Sequence, residues 1–209
     1  MYTLGMNDKP FILGLTGNIA SGKSYVLSYL TKRGAKGIDA DLVAQQSYLA
    51  GKPAYNALIN HFGEGIKQAN GQIDRAALSK IVFGDPEKLK ELEAIVHPAT
   101  IAEINAVVAQ SLEASNLKLI VIEAIELFES DLAKHCDATW VTVADDETRL
   151  GRLIQGRGMD PTSAAKRLNS QSPQEEKAKL ADYVITTDCN FEDTGNQIEA
   201  VLKKLGINL

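Results

Sequence analysis

The plainest chemistry in the chain is carried by one run of residues. Gly17-Asn18-Ile19-Ala20-Ser21-Gly22-Lys23-Ser24 fits the pattern G-x-x-x-x-G-K-[ST] at every defined position. The two glycines let the backbone turn so that N–H groups converge on phosphate oxygens. Lys23 supplies a mobile charge for β- and γ-phosphates, and the Ser24 hydroxyl is a ligand for Mg²⁺. A helix following the loop would add its positive N-terminal end. By itself the pattern leaves ATPase, GTPase and small-molecule kinase open. Guanine selection asks for N-K-x-D and a GTPase switch for D-x-x-G, and neither string occurs in the sequence. Large motor ATPases need a longer chain. A small-molecule kinase that uses ATP is the class that survives.

Carboxylates and guanidinium groups could supply the rest of a phosphoryl-transfer site. Asp39 and Asp41 fall at the end of an expected strand, where open α/β sheets bind their ligands; capping a helix is the alternative for either. Glu123 follows Leu119-Ile120-Val121-Ile122, the hydrophobic-then-acidic form of a strand that holds Mg²⁺, with capping of the next turn as its alternative. Glu126 and Glu129 are spaced as one helical turn. Arg149, Arg152 and Arg157 form a cluster that is either a solvated helix face or a set of donors closing over the transferred phosphoryl group. Arg152 is the first candidate for that closure and Arg157 the second. His61 and His135 are isolated, no Cys/His spacing suggests zinc, and Cys136 and Cys189 read as inert thiols.

These groups need a scaffold, and the apolar pattern supplies one. Short apolar or β-branched runs over residues 11–15, 35–39, 119–122, 139–143 and 183–186 predict strands. A helix is expected from 22 to 33, with Val26, Leu27 and Leu30 on one face and Gly34 as its stop. The stretch between the second and third strands is mostly helical and too long for a plain crossover. Within it Asp85-Pro86-Glu87 starts a helix, His97-Pro98 is expected to interrupt it, and Ile101, Ile104, Val107 and Val108 continue on helical spacing. Residues 145–179 are again helical. Strands alternating with helices predict an α/β fold, a P-loop core with a parallel sheet flanked by helices. The expected division is a nucleotide-binding core at 11–41 and 116–209, a helical insertion at 42–115, and a small lid at 146–175. Residues 1–10 read as a polar leader.

The whole composition is that of an ordinary globular chain: 209 residues, 44% apolar and 23% charged, with 22 basic against 27 acidic side chains for a net charge of −5. No global positive field points to nucleic acid or an anionic membrane as partner. Two cysteines are too few for a disulfide scaffold and fit a reducing compartment. The run 11–20 lacks the basic flank of a signal peptide, and the longest purely aliphatic stretch, 119–122, is far short of a bilayer span. A cytoplasmic protein is expected.

In order along the chain, Leu15–Ser24, Ile38-Asp39-Ala40-Asp41, Phe62-Gly63, Gly71-Gln72-Ile73-Asp74-Arg75, Val82-Phe83, His97-Pro98, Leu127-Phe128-Glu129, Arg157-Gly158-Met159, a helix ending in Gln171, and Ala181–Ile185 resemble the dephospho-CoA kinase family. There are departures. Ile125-Glu126 stands where the family has a proline-containing segment, and Glu123 replaces the usual Asp. Tyr25 replaces a Thr, and Thr186-Thr187 replaces Asp-Asn. The resemblance implies ATP-dependent phosphorylation of the ribose 3′-hydroxyl of dephospho-CoA, the last step of coenzyme A biosynthesis, with Mg²⁺. It implies Asp41 as the base, Arg75 and His97 at the acceptor substrate, and Tyr25, Arg157 and Gln171 with the loop at ATP. Another nucleoside or metabolite kinase, or a nucleotide-binding regulator, are the alternatives.

Overall fold

The β-branched and aliphatic runs form a five-stranded sheet. Its strands are β1 (Phe11–Gly17), β2 (Lys36–Asp39), β3 (Leu119–Glu123), β4 (Ala138–Val143) and β5 (Tyr183–Thr186), in the order β2-β3-β1-β4-β5. β1 pairs in parallel with β3 and β4, and β4 with β5. The structure is a computed structural model that describes residues 9–114 and 117–209; most of the expected leader, and the expected return to the core at 116, lie outside those residues. The helices are α1 (Lys23–Thr31), α2 (Ala40–Ser47), α3 (Pro53–Phe62), α4 (Arg75–Val82), α5 (Pro86–Ala114), α6 (Asp146–Gly151), α7 (Pro161–Asn169), α8 (Gln174–Leu180) and α9 (Phe191–Lys204).

The strand order decides where a ligand can sit. From β1 the chain goes to β2 and β3 on one side, then crosses to β4 and β5 on the other. A crevice therefore opens at the carboxyl end of β1, where flanking connections diverge. The glycine-rich loop starts there. Side chains alternating along the strands bury Leu13, Leu15, Leu119, Val121, Trp140 and Ile185 with Val26 and Leu30 of α1 and Ile198 and Leu202 of α9. Burying each large side chain contributes about 1.5–3 kcal/mol. In α1 the buried positions are one helical turn apart, and the chain turns out of the helix through Gly34 at φ 101°.

The chain divides into two compact units, residues 1–38 with 114–209 and residues 39–113. The second has its own core of Leu58, Ile66, Ile73 and Leu78. Its helices are capped from the sequence: Asp39 accepts from the Leu42 N–H at 2.9 Å, and Asp74 from the Ala76 and Ala77 N–H groups. Lys52 pairs with Glu103 at 2.6 Å, and His61 with Glu91 at 2.9 Å.

One expectation fails here. His97-Pro98 does not interrupt α5, which runs 29 residues with Pro98 inside it. Proline removes one backbone donor and crowds the carbonyl four residues back, costing about 3 kcal/mol. A helix that extends more than two turns to either side and buries Ile104 and Val108 outweighs that local loss. Two residues on, the Thr100 hydroxyl donates to the Val96 carbonyl at 2.8 Å. Past its charged first turns, an 18-residue window of this helix reaches a mean hydropathy of 1.3, enough by length and composition alone to cross a bilayer.

Candidate active site

The loop between β1 and α1 is shaped by close contacts that only its residue types allow. A Cβ on Gly17 would fall 2.4 Å from the Thr142 hydroxyl and 2.5 Å from that of Ser21, which bond each other at 2.7 Å. Gly22 takes φ 95°, and a Cβ there would meet Thr187 at 2.6 Å. Both glycines are thus required by packing against β4 and the residue after β5, as well as by the turn.

Lys23 is buried, and its Nζ donates to the Gly17 carbonyl at 2.7 Å and the Asn18 carbonyl at 3.4 Å. Glu123, the last residue of β3, is registered against Leu15 of β1 and places its carboxylate 4.0 Å from that Nζ. Ser24 is exposed in the first turn of α1. An exposed hydroxyl and a half-buried carboxylate on adjacent elements are hard oxygen donors of the kind Mg²⁺ takes, the rest of its shell coming from phosphates and water. Among the described residues no group of three or more His, Cys, Asp and Glu side chains could hold a metal by itself.

Beside the loop lies a cavity of about 220 Å³ lined by Ala20, Gly22, Ser24, Tyr25, Arg152, Arg157, Thr187, Phe191 and Thr194. The Tyr25 ring stacks on Phe191 with centroids 4.8 Å apart, and its hydroxyl donates to the Phe191 carbonyl. Arg152, half-buried, donates to the Ala20 carbonyl and the Thr187 hydroxyl, each at 3.0 Å, and to the Thr187 carbonyl. Arg157 is exposed at the rim. The Gln171 side chain accepts the Ile19 N–H at 2.7 Å, and Asn18 donates to the Ser172 carbonyl. The loop, Tyr25, Arg152, Arg157, Gln171 and Glu123 all belong to the first unit.

Asp41, Arg75 and His97 belong to the second unit. Asp39 takes the capping role and Asp41 stands exposed in the first turn of α2. Arg75 donates to the Gln45 side chain at 2.9 Å. Glu126 and Glu129 lie on one turn, closed by the Ser130 N–H on the Glu126 carbonyl, and Glu129 pairs with Lys177. The Cys136 thiol is pushed up to about 12 by burial, reinforced by the charge of Asp137.

Three contacts on the loop have no signature in the sequence: Thr142, Thr187 and the buried end of Arg149. Thr142 reads as an ordinary strand residue, and Thr187 stands out only where Asp-Asn would be expected.

A parallel sheet with a phosphate-accepting loop at its switch point, a buried lysine in that loop and a carboxylate at the end of the neighbouring strand define a P-loop kinase. A shikimate kinase from Bacteroides thetaiotaomicron shares the fold, with a TM-score of 0.50 at 12% identity over 94% of this chain and 99% of that one. Residues 11–193 match the family model CoaE, dephospho-CoA kinase. A dephospho-CoA kinase of Carboxydothermus hydrogenoformans is 42% identical over 92% of this chain and 93% of its own; that of Geobacillus kaustophilus is 41% identical over 92% and 95%. The dephospho-CoA kinase of Campylobacter jejuni superposes with a TM-score of 0.65 at 28% identity, over 93% of this chain and 96% of that one. The chain belongs to the dephospho-CoA kinase family.

Proposed function

We propose that this protein transfers the γ-phosphoryl group of ATP to the ribose 3′-hydroxyl of dephospho-CoA, giving coenzyme A and ADP in the cytoplasm. The observation that carries this reading is the Lys23–Glu123 pairing at the phosphate loop, in a chain whose residues 11–193 match the family. In the reaction the 3′-oxygen forms a bond to the γ-phosphorus and the bond from that phosphorus to the β,γ-bridging oxygen breaks. The hydroxyl proton passes to the Asp41 carboxylate.

Each residue has a role in this scheme. The loop 17–24 with Tyr25, Arg157 and Gln171 binds ATP. Lys23 neutralises the β/γ-phosphates, and Arg152 stabilises the charge spread over the transferring group, where fixed donors act most strongly. Ser24 and Glu123 would hold Mg²⁺, which when bound neutralises charge on the β- and γ-oxygens. Arg75 and His97 bind the acceptor through the helical insertion at 42–115, and the segment 146–175 closes as a lid to exclude water.

The test is ADP release from MgATP with a panel of acceptors: dephospho-CoA, nucleosides, sugars and shikimate. Turnover with dephospho-CoA well above every other acceptor is the expected result. A preference for a nucleoside or sugar makes the protein a different metabolite kinase, and no turnover with any acceptor makes it a nucleotide-binding regulator.

A further inference from the structure

Among the described residues, only Ala20 and Asp131 take a positive φ without being glycine, and Ala20, at φ 60°, sits in the middle of the phosphate loop. Its Cβ makes this left-handed conformation unfavourable, so something outside the residue must hold it there. The conformation of Ala20 is defined by its two flanking peptide planes. One carries the Ile19 carbonyl and the other the Ala20 carbonyl.

Each plane is gripped by an arginine. Arg149 Nε donates to the Ile19 carbonyl at 3.0 Å, and Arg152 Nη1 donates to the Ala20 carbonyl at 3.0 Å. The two arginines are three residues apart, at the end of α6 and the start of the π-helical turn Arg152–Gly156, so one continuous element sets both grips. Arg149 is itself fixed. It is 3% exposed, its Nη1 donates to Asp146 at 2.9 Å, and its Nη2 donates to Gln171 Oε1 at 3.4 Å, the same oxygen that accepts the Ile19 N–H. A trans peptide points its N–H opposite its carbonyl. Turning the Ile19 carbonyl toward Arg149 therefore turns the Ala20 N–H the other way.

We propose that Arg149 is a positioning residue: with Arg152 it clamps Ala20 in the left-handed conformation, so that the loop has its anion-accepting shape before nucleotide arrives. This rests on the reading of the loop as the ATP phosphate site and adds to it a residue that touches no phosphate.

The experiment uses the whole chain and MgADP as probe, with Kd measured by calorimetry for wild type, R149K, D146N and each of these combined with A20G. Lysine keeps the charge and the stem but not the planar fork, and D146N loosens Arg149 without removing it. With Ala20 in place, R149K should weaken MgADP binding by about 5- to 30-fold, the population cost of a left-handed alanine, and D146N by less. Glycine takes positive φ without that cost, so in the A20G background R149K should cost less than about threefold. An equal loss in both backgrounds, or no loss with Ala20 present, overturns the proposal. Failure of the wild-type chain itself to bind MgADP instead overturns the reading of the loop, and the clamp with it.

Discussion

Lys23 shows how one residue divides stability from function. Its Nζ is held by two loop carbonyls and by Glu123, and the motif brings its charge to the β/γ-phosphates. Lys23→Ala should leave the circular-dichroism spectrum unchanged and abolish measurable ADP release; a near wild-type rate would overturn the loop's assignment. The two aspartates make a sharper comparison. Asp39 is engaged in capping α2, whereas Asp41, two residues later, stands exposed on the first turn. General-base contributions are about 10²–10⁴-fold. Asp41→Asn keeps the shape and one acceptor oxygen but cannot take the proton, so kcat should fall by about that range with MgATP affinity within about threefold. Asp39→Asn keeps a capping oxygen, because Asn caps a helix about as well as Asp, and should affect kcat far less. The reverse order, measured at saturating Mg²⁺, would exclude Asp41 as the base. The phosphate-loop motif was legible because its spacing is fixed. The loop contacts of Arg149, Thr142 and Thr187 were not, because each spans more than a hundred residues of sequence.

At the scale of elements, legibility followed the strength of the local pattern. The expected strands at 139–143 and 183–186 appear as β4 and β5 within a residue, since β-branched runs between turn residues have few other ways to bury themselves. The break expected at Pro98 failed because a proline states only a local cost, whereas the helix is decided by the buried positions on both sides of it. Replacing that proline measures the difference. The helix-interior penalty of proline relative to alanine is about 3 kcal/mol, and proline returns up to about 1 kcal/mol by stiffening the unfolded chain. Pro98→Ala should therefore stabilise the protein by about 2 kcal/mol in urea unfolding; no gain would mean that α5 relieves the proline by relaxing elsewhere. The start of α6 carries a pH signature. Asp145 accepts from the Thr148 N–H at 2.6 Å, and that bond holds its carboxyl below the usual range. A depressed folded value contributes stability that is complete above the unfolded pKa, about 3.9, and is lost as pH falls through the folded value. Asp145→Ala should thus lower the melting temperature at pH 7, and the difference from wild type should shrink toward pH 3. An equal difference at both values would remove the cap from the account.

For the whole molecule, the division into units at residues 38/39 and 113/114 puts the groups assigned to ATP in one unit and those assigned to the acceptor in the other. A ligand that binds only the folded state stabilises it by about 2.7 kcal/mol at a hundred times its Kd. MgADP should therefore slow amide hydrogen exchange in the phosphate loop, α6 and the turn after it, while the helices around Leu58 and Leu78 keep their own rates. Protection confined to residues 39–113 would place the nucleotide in the wrong unit.

The same topology has a consequence for how the chain is made. β1 is the first strand of the chain, and the partners for both its edges arrive late: Phe11 pairs with Leu119, and Leu13 with Ala138. While a ribosome is still adding residues 39–113, β1 has emerged with both edges unpaired, an aggregation hazard for any strand. The helices being added in that interval make mostly local contacts, which close fastest. Synthesis thus delivers a self-contained helical unit first and holds the sheet open until β3 can enter between β2 and β1. A nascent chain stalled before Leu119 should show protease-resistant helices and a phosphate loop that is cut readily, and the loop should become resistant only once β4 has cleared the exit tunnel.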